Sequence, residues 1–271
     1  MLKAIETDPD NPIWYAELEK YCDFAQKDPA SCIAVFEKNQ GIVKQNTTAP
    51  QSLVKLYNVA GEFDKAIELL NTHHFRTWEG GRSIYWHYVD AHVMKAIQLS
   101  ETGQYKEAIN HLEQALLYPG NLEVGKGLHD ERNAMILYYM GTIYEAAGNK
   151  KKATESFRKS STAVNSHDWP DLLYYQALSY RKFGNNEKAE EFLNSLSETG
   201  KSNIESGNKI PSSGAIYDLT DRRDMISEGY YLQALSELAR ENKEKARELF
   251  LKSVETYRNN LWARHYLKNM K

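Results

Sequence analysis

Apolar residues along this chain recur at three- and four-residue intervals and never alternate for long, which is the period of helices with one buried face. The clearest window is 134–161, where Leu137, Met140 and Tyr144 form one stripe and Ala153 and Phe157 form a second. Between the stripes, Gly148-Asn149 offers a left-handed residue that ends the first helix. Gly141 and Ala153 are small, so two antiparallel helices can touch there backbone to backbone.

The same pattern returns at intervals of 42, 45, 36 and 57 residues, with small residues at Ala66, Ala108, Ala153, Ala189 and Ala246. Five positions before each stands a turn residue: Gly61, Gly103, Gly148, Gly184 and, in the weakest copy, Glu241. Four positions after each stands an apolar residue: Leu70, Leu112, Phe157, Leu193 and Phe250. Repeats separated by loops of uneven length follow. The segmentation is one array over 1–271: a degenerate capping repeat at 8–40, hairpins at 47–71, 84–117, 134–161, 171–196 and 224–254, and a terminal helix at 261–269. The Gly-, Pro- and Ser-rich stretch 199–222 breaks the rhythm and is expected to extend the preceding helix briefly and then run as a loop.

Leu137, Gly141, Tyr144, Ala153 and Phe157 match the positions of the tetratricopeptide repeat, with Leu at the first aromatic position. The resemblance implies an all-α, TPR-like, right-handed superhelix of about six helical hairpins plus a C-terminal helix. It also implies that ligands lie along the concave face formed by the first helix of each pair. On that template Tyr138, Tyr174 and Tyr231 occupy one groove-facing position, with Glu145, Arg181 and Lys182 beside them. Those rings suit a peptide backbone or a sugar face, or else they fill the narrow inside of the superhelix; the sequence leaves both open. A second resemblance rests on Phe75-x-x-Trp78-Glu79-Gly80-Gly81, on Tyr118-Pro119-x-Asn121-Leu122 and on Asp221-Arg222-Arg223-Asp224. Together these are similar to the C-terminal helical region of large bacterial proteins that carry an N-terminal mutarotase-like β-sandwich. That resemblance implies a sugar-related context, although this chain has no β-sandwich of its own.

Composition narrows the chemistry. Net charge is −3 with a pI near 6.3, which argues against a general nucleic-acid binder, since that needs a basic stripe to neutralise phosphates. No apolar run approaches the length of a membrane span and no signal-peptide core is visible, so a cytoplasmic chain is expected. Cys22 and Cys32 have neither a C-x-x-C spacing nor a His companion and are read as reduced, partly buried thiols. His73, His74, His129 and His167, with Asp130, Glu131 and Asp168, lack metal-ligand spacing. No nucleophile elbow or phosphate-binding loop is present, Gly125-Lys126-Gly127 being too short. Trp78, Glu79, Gly80, Gly81 and Arg82 form a loop candidate: a ligand contact in one reading, an anchored turn in the other, which is preferred. The expected function is a non-catalytic binding or assembly module, without cofactor or metal, that holds a protein or peptide. The alternative is a helical accessory domain that binds sugar or a β-sandwich partner. Oligomeric state, ligand and pathway are not encoded legibly.

Overall fold

The computed structural model describes residues 1–76, 82–126, 132–164, 169–210 and 216–270, side chains at 216–220 excepted. Among these residues the chain is all-α, with fifteen α-helices and no strand. No helix among them is long and apolar enough to cross a membrane. The chain forms two compact units, Met1–Lys126 and Gly127–Lys271.

The first unit contains α1 (Leu2–Thr7), α2 (Pro12–Phe24), α3 (Pro29–Lys38), α4 (Gln40–Val43), α5 (Ala49–Ala60), α6 (Phe63–Thr72), α7 (Ser83–Glu101) and α8 (Tyr105–Ala115), then a 3₁₀ turn at Gly120–Leu122. Pro12 begins α2 because its missing N–H is one the first turn cannot satisfy anyway, and the Asn11 side chain accepts from the Ile13 amide. The second unit contains α9 (Asn133–Ala146), α10 (Lys150–Ser161), α11 (Leu172–Arg181), α12 (Asn186–Lys209), α13 (Ile216–Ala239), α14 (Lys243–Thr256) and α15 (Leu261–Asn269).

Five hairpins share one turn, and the α2/α3 pair has it too, with Gln26 at φ 52° and the Lys27 amide bonded to the Cys22 carbonyl. Gly61, Gly103, Gly148 and Gly184 have φ of 80°, 77°, 77° and 73°, and Glu241 has φ 65°. After each, an amide bonds back five residues, from Glu62 to Tyr57, Gln104 to Leu99, Asn149 to Tyr144, Asn185 to Tyr180 and Asn242 to Glu237. This closure satisfies carbonyls at the helix end and reverses the chain. The five alanines that follow are all buried, as are the apolar residues one turn later. At Gly141 an added Cβ would lie 2.6 Å from the Phe157 ring, so the glycine is where α9 and α10 meet.

Two expectations are corrected here. Cys22 and Cys32 are not thiols; they form a disulfide joining α2 to α3. The cross-link ties the two helices of the first hairpin to each other. The stretch 199–222 is not mainly a loop: α12 continues to Lys209 and α13 starts at Ile216. Its glycines are contacts rather than breaks. A Cβ on Gly200 would sit 2.6 Å from the Gly229 carbonyl oxygen, and one on Gly229 2.5 Å from the Gly200 oxygen. The two long helices therefore cross backbone against backbone, which any side chain at either position would prevent.

The motifs behind the second resemblance also have a mechanical role. The Phe75 amide donates to the Asn121 carbonyl at 2.8 Å, and the Asn121 amide group donates to Leu70 O and His73 O at the end of α6. Tyr118 stacks on Tyr85 with centroids 4.2 Å apart. Phe75 and Asn121 thus bind two successive hairpins of the first unit together. Trp78, Glu79, Gly80 and Gly81 lie outside the described residues. Arg82 donates to the Gly125 carbonyl at 3.1 Å.

Two outcomes follow from this architecture. Glu241→Gly should stabilise the last hairpin by about 0.5–1 kcal/mol, because a side chain at positive φ is strained; an unchanged or lowered thermal midpoint would show that Glu241 carries no such strain. Reducing the Cys22–Cys32 disulfide should cost the first unit about 2–3 kcal/mol, the value for a short closed loop, measured as a lower melting temperature with dithiothreitol that is absent in Cys22→Ser/Cys32→Ser.

Candidate functional site

Tyr138, Tyr174 and Tyr231 do not form an exposed ladder. Tyr174 and Tyr231 are 6% and 2% exposed, and Tyr138 is half-buried. The groove-lining expectation is corrected: two of the three rings are packing. The cause is α15. Its Tyr266 hydroxyl lies 3.4 Å from that of Tyr139 on α9 and 3.2 Å from that of Tyr175 on α11. The same ring packs against Tyr174, Tyr231 and, at 5.3 Å, Phe250. The terminal helix thus fills the space that the first helices of the hairpins would otherwise leave open. Burial raises the pKa of Tyr138, Tyr139, Tyr174, Tyr175, Tyr231 and Tyr266, keeping all six phenols neutral.

The charged residues of that expectation sit in ordinary ion pairs. Lys182 reaches Glu145 at 2.6 Å and covers the Phe157 ring at 4.9 Å, linking successive hairpins. Arg181 pairs with Glu190 at 2.7 Å and donates to the Ala239 carbonyl. These groups are joints between hairpins, and being partly exposed they contribute little stability each.

A different cluster in the second unit gathers chemistry from four helices. Arg132 precedes α9, Asp171 precedes α11, Glu228 and Tyr231 lie on α13, and Trp262 lies on α15. Asp224, Glu228 and Tyr231 are spaced by four and three, so one face of α13 carries all three. The Arg132 guanidinium lies 4.8 Å from the Trp169 ring centroid and 5.9 Å from that of Trp262, a cation held by two aromatic faces. Trp262 in turn stacks on Tyr139 at 6.2 Å. Arg132 and Asp171 are buried and Glu228 is half-buried. The Glu228 carboxyl is held well above the usual carboxylate range, first by burial and then by the charges of Asp171 and Asp224, with Arg132 opposing. Trp169 also lines a cavity of about 460 Å³ with Leu173, Gln176, Tyr180 and Phe192. Asp224 belongs to a sequence motif, but no period or spacing joins it to Arg132, Trp169 or Trp262, which lie far apart in the chain.

Two features of the first unit are less suited to a ligand. His92 and His111 share an Nδ1···Nδ1 contact of 3.0 Å, and burial lowers the pKa of both, His92 to about 3. A cavity of about 230 Å³ is lined by Glu37, Lys65 and Tyr57, which are bonded to one another through Glu37. His74 pairs with Glu123 at 2.7 Å, and among the described residues no group of three or more His, Cys, Asp or Glu is placed to hold a metal ion.

The tetratricopeptide repeat family model matches residues 171–199, which comprise α11, the Gly184 turn and the first part of α12. Among solved structures, the chain is similar to the APC/C hetero-tetramer Cut9-Hcn1 at 14% identity and TM-score 0.41, covering 99% of this chain and 44% of that one. It is similar to a tetratricopeptide repeat protein from Parabacteroides merdae at 17% identity and TM-score 0.37, covering 94% of this chain and 98% of that one. A third similar structure, YrrB, is described as a TPR protein with an unusual peptide-binding site, at 15% identity and TM-score 0.31, with 86% and 97% covered.

The Glu228 environment yields a pH prediction. Its folded-state pKa is raised, so the folded chain keeps a proton that the unfolded chain releases above the ordinary carboxylate value. Stability contributed by this group is therefore greatest in acid and falls as pH rises above about 4.5. Glu228→Gln should raise the melting temperature near neutral pH and leave it little changed near pH 4. A uniform change at both pH values would mean that Glu228 is an ordinary ionised carboxylate.

Proposed function

We propose that this chain is a non-catalytic module that holds a protein or peptide segment in its second unit, at the cluster around Arg132, Trp169, Asp171, Glu228 and Trp262. The observation that carries this reading is convergence. Helices distant in sequence bring aromatic faces and charges to one part of the helical-hairpin array, while the tyrosine stripe is already filled by Tyr266. Aromatic and charged anchors in a largely desolvated setting are the composition of binding hot spots. Hairpin repeats of the kind matched at 171–199 serve other proteins as scaffolds for such contacts. The YrrB description, of a peptide-binding site in a TPR protein, is in keeping with it.

The alternative, a sugar-related accessory domain, rests on motifs of which Phe75, Tyr118 and Asn121 have a structural task here. It is kept as an outcome of the ligand test below. The compartment reading also moves. A disulfide between Cys22 and Cys32 favours an oxidising compartment over the cytoplasm expected from the sequence.

The test is selection of binders from a displayed random-peptide library on the purified protein, followed by calorimetry. Trp169→Ala should weaken a selected peptide by about tenfold or more, the effect of losing an aromatic anchor, with the helical circular dichroism spectrum unchanged. Peptides that bind parent and variant alike, or that crosslink only to residues 1–126, would overturn the proposed location.

A further inference from the structure

Within the cluster, two polar groups stand out because neither makes a hydrogen bond or ion pair among the described residues. The Tyr231 hydroxyl is buried, its side chain is 2% exposed, and it makes no hydrogen bond. The residue's electrostatic surroundings are Asp171, Glu228 and neighbouring phenols, so the hydroxyl faces the acidic side of the cluster. Glu228, one helical turn earlier, makes no hydrogen bond or ion pair among the described residues. The charges acting on it most strongly are two carboxylates, Asp171 and Asp224, and one guanidinium, Arg132. A buried hydroxyl without a partner is costly, and at Glu228 burial and the neighbouring carboxylates hold the carboxyl protonated in the fold.

We infer that Glu228 and Tyr231 form a subsite for an organic cation, the ammonium or guanidinium of a lysine or arginine side chain on the bound peptide. The inference rests on the peptide-binding reading and specifies its ligand. A cation supplies what both groups lack. Its charge favours the ionised form of Glu228, which gives up on binding the proton it holds in the free fold, and its N–H groups donate to that carboxylate and to the Tyr231 hydroxyl oxygen. The rings of Tyr139, Tyr266 and Trp262 meet one another beside this face and give the aliphatic stem of such a side chain an apolar wall. Arg132, held between Trp169 and Trp262, already shows that the cluster accommodates a guanidinium against aromatic faces. A neutral sugar would offer hydroxyls to Tyr231 but no charge that favours the ionised form of Glu228.

The experiment titrates the intact protein with N-acetyl-lysine methylamide, N-acetyl-arginine methylamide, the uncharged isostere N-acetyl-norleucine methylamide, and glucose. Binding is followed by saturation-transfer NMR and tryptophan fluorescence. The cationic probes should bind and norleucine and glucose should not. Glu228→Gln should lower cationic-probe affinity by about tenfold or more, the effect of losing a charged hydrogen-bond partner, and Tyr231→Phe should lower it by a smaller factor. Both replacements are close in size to the native residue, and melting temperatures no lower than the parent's establish that the fold is retained. Equal binding of lysine and norleucine probes, binding of glucose alone, or an unaffected Glu228→Gln would each overturn the subsite. Replacing lysine and arginine by norleucine in a library-selected peptide separates the two readings. Retained affinity removes the cation subsite and leaves the peptide module standing. Failure of any peptide to be selected removes the module, while the small probes still decide the subsite.

Discussion

Each hairpin depends on a single conformational constraint, the left-handed residue that ends its first helix. A positive φ at Gly61, Gly103, Gly148, Gly184 and Glu241 reverses the chain within one residue. It also fixes how far beyond the turn the second helix begins to pack. That register brings the alanine five positions later against the first helix, where nothing larger fits. Without the fixed turn the small residue would face solvent and a long side chain would face the contact. The hairpin would then bury less apolar surface, and its neighbours would lose the face they stack on.

Other contacts add to this constraint. The first hairpin, α2 with α3, keeps the left-handed turn at Gln26 and is also joined by a disulfide between Cys22 and Cys32. In the α12/α13 pair the contact is between backbones at Gly200 and Gly229, so these helices run close together well beyond the usual repeat length. Length matters there because it carries α13 far enough to present Asp224 and Glu228 as well as the hairpin core. The polar cluster is in this sense a by-product of an extended hairpin, and its acidic face lies on the N-terminal half that the extension adds.

The C-terminal helix has the converse effect. Tyr266 occupies the inner side of α9 and α11 and bonds with their hydroxyls. Buried phenols with raised pKa values make good neutral packing, and they leave no continuous stripe for an extended ligand. What remains for recognition is discrete: aromatic faces, a held guanidinium, and carboxylates at one end of the tyrosine cluster.

The all-α class, the positions of the five turns and the buried small residues were all legible in the sequence, since each depends on residues within about 16 positions of one another. Local periodicity, the freedom of glycine at positive φ and the size of alanine act at that range and need no knowledge of the rest of the chain. Glycine in 199–222 was misread because one letter serves two purposes; whether Gly200 ends a helix or admits a neighbour depends on what lies across from it, here Gly229. Between the two readings of the tyrosine stripe the sequence could not choose, for the same kind of reason. Spacing shows that Tyr138, Tyr174 and Tyr231 occupy equivalent positions, but whether they face water depends on Tyr266, which no repeat period connects to them. Cys22–Cys32 pairing, the Arg132 cradle of Trp169 and Trp262, and the unanswered Glu228 and Tyr231 are likewise products of tertiary proximity. Burial and charge environment are properties of the assembled core, so they were decided only when the helices packed.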